Sequence, residues 1–242
     1  GFAEADPTFD VEGVDAAHKL AILASLAFGA QVDFKNVVCQ GISQLMPADI
    51  AQADKLGYRI RLIGLAEMDN GALMQRVRPY LVPKSHPLAY VTGPTNAVVV
   101  EGNHCGRLLF QGAGAGDGPT ASAVVADLID IARGEAGPAF AMPVAELTDL
   151  PPADTGHRRS RTYMRFDVVD RPGVLAEIAA AMRDAGVSIE SLLQMEEDAD
   201  DQAMISIVTH EGEERCVNAA IEALSASPTL RSEPMVMRIL GN

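Results

Sequence analysis

Five carboxylates crowd the first fifteen residues: Glu4, Asp6, Asp10, Glu12 and Asp15, with Lys19 four positions beyond the last. Carboxylates can neutralise a substrate ammonium. A lysine ammonium can donate a proton to an oxygen that becomes charged during a reaction, and can stabilise that charge as it develops. On a helix, Asp15 and Lys19 share a face one turn apart, so the two groups can touch. A D-x-x-x-K spacing is also what an ordinary surface ion pair shows. The surrounding residues favour the chemical reading. From Val14 to Phe28 the stretch is apolar nearly all round, which predicts a buried helix. Its polar residues Asp15, His18, Lys19 and Ser25 fall in one wedge. A charged pair on a buried helix is costly unless it is paired and hydrogen-bonded, so it calls for a function.

Composition narrows the class of protein. The chain has 242 residues, enough for one large or two ordinary domains, and is 48 % hydrophobic, which excludes disorder. Its formal charge of −14 argues against a nucleic-acid partner. The longest apolar run, Leu20 to Phe28, is broken by Ser25 and is too short to span a membrane. Cys39, Cys105 and Cys216 are widely spaced, without a C-x-x-C pair, which suits a reducing cytoplasm and gives no disulfide framework or zinc site. His86 and His104 show no ligand spacing, so no metal is expected. No secretory signal is visible.

The elements that must position the acid-rich helix follow in order. Pro47 to Leu56 has helical spacing, with Gly57 as its stop. Arg59 to Ala66 reads as a strand with Ile60, Leu62 and Ile63 on a buried face, and Gln75 to Val82 as its neighbour. His86-Pro87 and Gly93-Pro94 are turn signals. Ala97–Glu101 and Arg107–Phe110 predict a hairpin. The block reads as a mainly antiparallel sheet with helices on one face. Next, G-A-G-A-G at 112–116 leads into a helical pattern from Thr120 to Arg133. This strand, glycine loop and helix could set an anion or cofactor at the helix N-terminus, or could be a tight turn whose glycines allow close packing. The spacing is not the dinucleotide fingerprint G-x-G-x-x-G. Val124, Val125, Leu128 and Ile129 would give this helix an exposed apolar face.

Residues 135–160 are proline-rich and irregular and read as a linker between domains at 1–134 and 161–242. The second domain opens on a half-buried strand, Thr162–Val169, with Met164, Phe166 and Val168 inward and Arg165 and Asp167 outward. A turn at Asp170–Gly173 and a helix from Val174 to Ala185 follow. Next come a strand to Met195, an acidic turn (Glu196, Glu197, Asp198, Asp200, Asp201), a third strand, a second helix and a last strand. The order βαββαβ is the ferredoxin-like arrangement, and the chain as a whole is α+β.

That order, with D-R-P-G-V-L at 170–175 and A-G-V-S-I at 185–189, resembles an ACT domain. The resemblance implies a regulatory module that pairs and binds an amino acid around Asp170, Gly173, Val174 and Leu175. The first 134 residues resemble the substrate-binding part of homoserine dehydrogenase. The match is carried by E-A-D-P-T-F-D-V-E-G-V-D-A-A-H-K-L at 4–20, V-R-P-Y-L-V-P-K-S-H-P-L at 77–88, and the G-A-G-A-G loop with P-T-A-S after it. This resemblance implies NAD(P)-dependent interconversion of L-aspartate 4-semialdehyde and L-homoserine, on the route to threonine, methionine and isoleucine. Lys19 would be the catalytic lysine and Asp15 the aspartate beside it, a substrate-side group too. Glu4 and Asp10 would hold the substrate amino group, and Gly1 and Gly116 would contact the cofactor. Threonine is the expected effector, and a homo-oligomer through the sheet and the ACT domain the expected assembly. The family's nucleotide-binding domain has no counterpart here, so the chain reads as a portion of a longer polypeptide, inactive alone. Two other readings stand beside this one: a non-catalytic, amino-acid-sensing oligomerisation module, and an enzyme using Lys19 as a Schiff-base lysine.

Overall fold

The computed structural model describes residues 6–135, 137–196 and 201–241. The chain divides into two compact units. The first comprises Gly1–Gln40, Gly64–Val77 and Lys84–Pro152; the second comprises Gly41–Ile63, Arg78–Pro83 and Ala153–Asn242.

In the first unit a one-turn helix α1 (Thr8–Val11) leads through Gly13, in the left-handed region at φ 77°, into α2 (Val14–Phe28). Gly29, at φ 63°, ends α2, and its N–H returns to the Ser25 carbonyl at 2.9 Å. This left-handed exit is open to glycine at little cost. One face of α2 is buried through Ala17, Leu20, Ala21, Ala24 and Ser25. Leu20 lies over Gly64, where an added Cβ would come within 3.3 Å of the leucine Cδ1.

Strands β2 (Tyr58–Asp69) and β3 (Ala72–Pro83) form a hairpin. Its tip is Asn70-Gly71 at φ 50° and 83°, the pair of positive angles that a two-residue type I′ turn requires. The short β1 (Val38–Cys39) runs parallel to β3, with Val38 opposite Arg76 and Cys39 opposite Val77. Strands β4 (Thr95–Gly102) and β5 (Gly106–Ala113) make a separate two-stranded sheet, in register from Thr95↔Ala113 to Gly102↔Gly106. Helix α4 (Asp117–Arg133) follows with no buried residue, and Val124, Val125, Leu128 and Ile129 are all exposed. The irregular stretch after α4 is tied down by backbone bonds. Gln31 N–H donates to the Thr148 carbonyl, Thr148 N–H to that of Gly29, and Leu73 N–H to that of Pro151.

The second unit holds the βαββαβ order as β7 (Thr162–Val169), α5 (Val174–Asp184), β8 (Ile189–Glu196), β9 (Gln202–Thr209), α6 (Glu214–Ser225) and β11 (Met235–Ile239). Its strands lie β11-β7-β9-β8, all antiparallel neighbours. A small antiparallel pair, β6 (Arg159–Ser160) with β10 (Gly212–Glu213), sits beside them. Met164, Phe166 and Val168 of β7 pack under Val174, Ile178 and Met182 of α5 and Val217, Ala220 and Leu224 of α6. Residues Glu197, Asp198 and Asp200 of the expected acidic turn lie outside the described residues.

The expectation of a half-buried first strand is corrected. Arg165 is only 3 % exposed. The second face of the sheet is covered by α3 (Pro47–Lys55), whose Ala53 joins Leu81, Tyr163, Val208, Met235, Met237 and Ile239 in a second core. Leu81 belongs to the second half of β3, which adds a strand parallel to β11 at Tyr80↔Arg238 and Leu81↔Ile239. The fold is α+β with mainly antiparallel pairing, and the sheet of the second unit carries helices on both faces.

Candidate active site

Lys19 Nζ donates to Asp15 Oδ2 at 2.5 Å along one face of α2. The structure thus brings together the two groups that the sequence reading singled out. Their environment differs from the expectation. The side chains of Lys19 and Asp15 are 60 % and 38 % exposed, and Ile22, Leu23 and Leu26 on the same side are exposed too. The helix is buried on one face only. Its apolar residues divide into a small-residue face turned to the sheet and a larger one turned outward. The pair therefore sits in water, and burial does not explain it; a screened ion pair of this kind contributes little to stability.

Asp10 is exposed on α1, and the start of that helix is set by Asp6. The Asp6 carboxylate accepts from the Thr8 hydroxyl at 2.6 Å and the Thr8 amide at 3.0 Å, and these two bonds hold its pKa below the usual 3.8. The next turn is fastened by rings. His18 of α2 packs edge-on between Phe9 of α1, at a centroid distance of 5.6 Å, and Phe34, at 4.1 Å. His18 is thus a clamp for the segment that carries Asp10. Cys39 of β1 reaches the same junction: its Sγ donates to the Glu12 carbonyl at 3.1 Å, and burial, aided by Glu12, pushes the thiol pKa up. Glu4 and Gly1 lie outside the described residues.

Gly116 stands at the start of α4 with φ 117° and ψ 157°, a backbone that excludes a side chain. Whether a dinucleotide fits here can be tested on the donors. The Gly118 amide is taken by the Asp117 carboxylate at 2.7 Å. That bond occupies a first-turn donor and places negative charge where a pyrophosphate would need to lie. The first turn of α4 therefore disfavours a cofactor's phosphates.

In the second unit Gly173, at φ 101°, opens α5, and no atom lies within 4 Å of the Cβ it lacks. Asp170 is exposed, and its N–H donates to the Asp201 carbonyl at 2.9 Å, which fixes the turn to the start of β9. Leu175 is exposed and Val174 is buried in the core. The Val174 side chain is a core residue, and its N–H donates to the Arg171 carbonyl at 3.4 Å.

Comparison with known proteins decides the family. Residues 1–129 match the family model described as homoserine dehydrogenase, and residues 162–228 match the ACT domain. The chain belongs to the homoserine dehydrogenase family. It is 45 % identical over 233 residues to homoserine dehydrogenase from Pseudomonas aeruginosa, covering 93 % of this chain and 54 % of that one. Against homoserine dehydrogenase from Corynebacterium glutamicum it is 42 % identical over 244 residues, 99 % of this chain and 54 % of that protein. The chain spans about half the length of the curated relatives it matches. Among solved structures, homoserine dehydrogenase from Thiobacillus denitrificans superposes with a TM-score of 0.87 at 41 % identity, covering 99 % of this chain and 56 % of that one.

Several site-shaping residues of this family member escaped the sequence reading. Asp6 was grouped with the other carboxylates, although D-x-T is a recognisable turn-starting spacing. Phe9 and Phe34 carry no local signal, because their contact with His18 forms only once the chain has folded. No group of three or more His, Cys, Asp or Glu able to hold a metal occurs among the described residues, and no helix among them is long and apolar enough to cross a membrane.

Proposed function

We propose that this chain is the catalytic and regulatory portion of an NAD(P)-dependent homoserine dehydrogenase, with a substrate-binding region at 1–134, a linker at 135–160 and an ACT regulatory domain at 161–242. The observation that carries the reading is the Lys19–Asp15 pair, held at 2.5 Å on an open helix face within the segment that matches the family. The cofactor supplies hydride chemistry when bound. The residues of this chain do the rest. When the aldehyde of aspartate 4-semialdehyde becomes the hydroxyl of homoserine, its oxygen gains negative charge, and the Lys19 ammonium donates a proton to it. In the reverse direction the Lys19 amine takes the hydroxyl proton. Asp15 aims the lysine and adjoins the substrate, while Glu4 and Asp10 neutralise the substrate ammonium. Gly1 and Gly116 are the residues that would contact the cofactor. Because the chain has no G-x-G-x-x-G turn for the phosphates, residues 1–242 alone do not turn over.

In the ACT domain the amides that open α5 after Gly173 face an amino-acid carboxylate, through the backbone of Val174 and Leu175, and Asp170 faces its ammonium. The reading names threonine as the effector, a homo-oligomer through the sheet and the ACT domain as the assembly, the cytoplasm as the compartment, and threonine, methionine and isoleucine synthesis as the setting. In the full-length protein, Lys19→Ala is expected to lower homoserine oxidation about 10²–10⁴-fold, the usual contribution of a positioned proton donor. Near-normal turnover in that variant would sink the assignment.

A further inference from the structure

Arg165 sits in the middle of β7, 3 % exposed, where an unpaired guanidinium would be very costly. Three groups hold it. The wholly buried Asp49 of α3 accepts from Nε at 2.9 Å, the carboxylate of Asp167 accepts from Nη1, and the Gln44 carbonyl accepts from Nη2 at 3.4 Å. Asp49 is shared: its Oδ1 also accepts from the Tyr163 hydroxyl at 3.0 Å, and its Oδ2 accepts from the Met46 amide at 2.9 Å, the bond that starts α3. Asp167 is shared on its own side, where Oδ2 accepts from Ser232 Oγ at 2.7 Å. Its second oxygen, Oδ1, is buried with no hydrogen-bond partner among the described residues.

Asp167 stands three residues before Asp170, on the strand that runs into the effector turn. Helix α3 stands on the stretch between β1 and β2, so it is attached by chain to elements of the first unit on either side. A buried ionic path therefore links the root of the effector turn to α3. A second arrangement is open to the same groups. In the one seen, Arg165 is divided between Asp49 and Asp167. In the other, the unused Oδ1 of Asp167 lets Arg165 bind that carboxylate through both oxygens, the preferred fork geometry, and Asp49 is left to Tyr163 and Met46. A bistable element of this kind is what transmission between sites needs.

We propose that the exchange of Arg165 between Asp49 and Asp167 couples occupancy of the 170–173 turn to the position of α3, and so carries the effector signal out of the ACT domain. The inference rests on the effector reading given above. It is tested in the full-length protein with L-threonine as probe, by calorimetric titration with and without saturating L-homoserine. Two variants are used. Asp49→Asn keeps the shape and removes the charge. The double variant Asp49→Asn with Arg165→Met removes the ion pair without stranding a buried guanidinium, the change proteins tolerate best. In the parent protein homoserine should shift the threonine Kd by a factor in the usual range of about 5–150. In both variants threonine should still bind while that factor collapses toward one. Retention of the parent factor in the double variant shows that the pair only holds α3 in place, and overturns the proposal; that variant decides if Asp49→Asn fails to fold. Absence of threonine binding in the parent protein refutes the effector reading instead, and the proposal falls with it.

Discussion

The ring clamp at His18 gives a prediction whose size follows from its geometry. His18→Ala removes the ring between Phe9 and Phe34 and so releases α1, a four-residue helix with no buried residue of its own. Asp10, on α1, then keeps the Asp6–Thr8 turn, the Gly13 N–H bond to its carbonyl and the Cys39 bond to Glu12, but loses the ring contacts. An edge-on aromatic pair contributes about 0.5–1.5 kcal/mol; at this exposed site the lower figure applies to each contact, giving about 1 kcal/mol together. That energy holds α1 ready for substrate, so its loss must be made up on binding. With about 1.4 kcal/mol per factor of ten, KM for homoserine should rise about fivefold. The proton transfer proposed for Lys19 is untouched, so kcat should stay within about twofold. Steady-state kinetics on the full-length protein, with homoserine varied at saturating cofactor, separates the two constants. His18→Phe keeps a ring in the gap and should restore most of the KM. An unchanged KM in His18→Ala would refute the reasoning, as would a loss confined to kcat.

Lys19→Ala, expected to damage turnover, should leave the fold almost as stable as before, because an exposed pair four residues apart contributes only about 0.3–0.5 kcal/mol; a large fall in melting temperature would show a structural role instead. Ile178→Ala, at a fully buried position of α5, should cost about 2–5 kcal/mol in chemical denaturation, and a smaller loss would show that the core relaxes around it. The His86 imidazole is held below its usual 6.5 by burial, then by Arg107, and its Nδ1 accepts from the Leu88 amide at 3.3 Å. The folded form therefore prefers the neutral ring. The stability this supplies is present above the ordinary pKa and is lost as pH falls below it. Melting curves at about pH 8 and about pH 5 should show a larger loss in the parent protein than in His86→Asn, and equal losses would refute the assignment.

What could be read from the sequence was whatever is written in local periodicity. The span of α2 follows from its helical spacing and from Gly29, and the βαββαβ order from strands of near-uniform length punctuated by Gly173 and Gly186. The exposure of Lys19 could not be read, because an apolar helix looks the same whether its second face meets its own chain or not. Arg165 and Asp167 misled for the opposite reason. Alternation along β7 suggested a wet face, and only the return of α3, more than a hundred residues earlier in the sequence, covers it. Asp49 likewise falls in the first turn of α3, where an acid is ordinary, and nothing local marks it as the counter-ion of a buried arginine. The Asn70-Gly71 tip was legible, since Asn-Gly between two apolar runs is a strong hairpin signal, but the reading joined β2 to β3 without it.

Strand β3 has one more consequence, for any attempt to test the proposed feedback by truncation. Its first half pairs with β1, at Arg76 and Val77, and its second half pairs with β11, at Tyr80 and Leu81. Cutting the polypeptide after residue 160 would strip β11 and β7 from that second half. It would leave a bare strand edge beside Leu81, Ala53 and the rest of a severed apolar layer. Such edges recruit other chains, so the truncated enzyme would be lost to aggregation before its regulation could be assayed. The ACT region is not a cap that can be unscrewed. A test of the proposed feedback has to come from single substitutions that leave every strand in place.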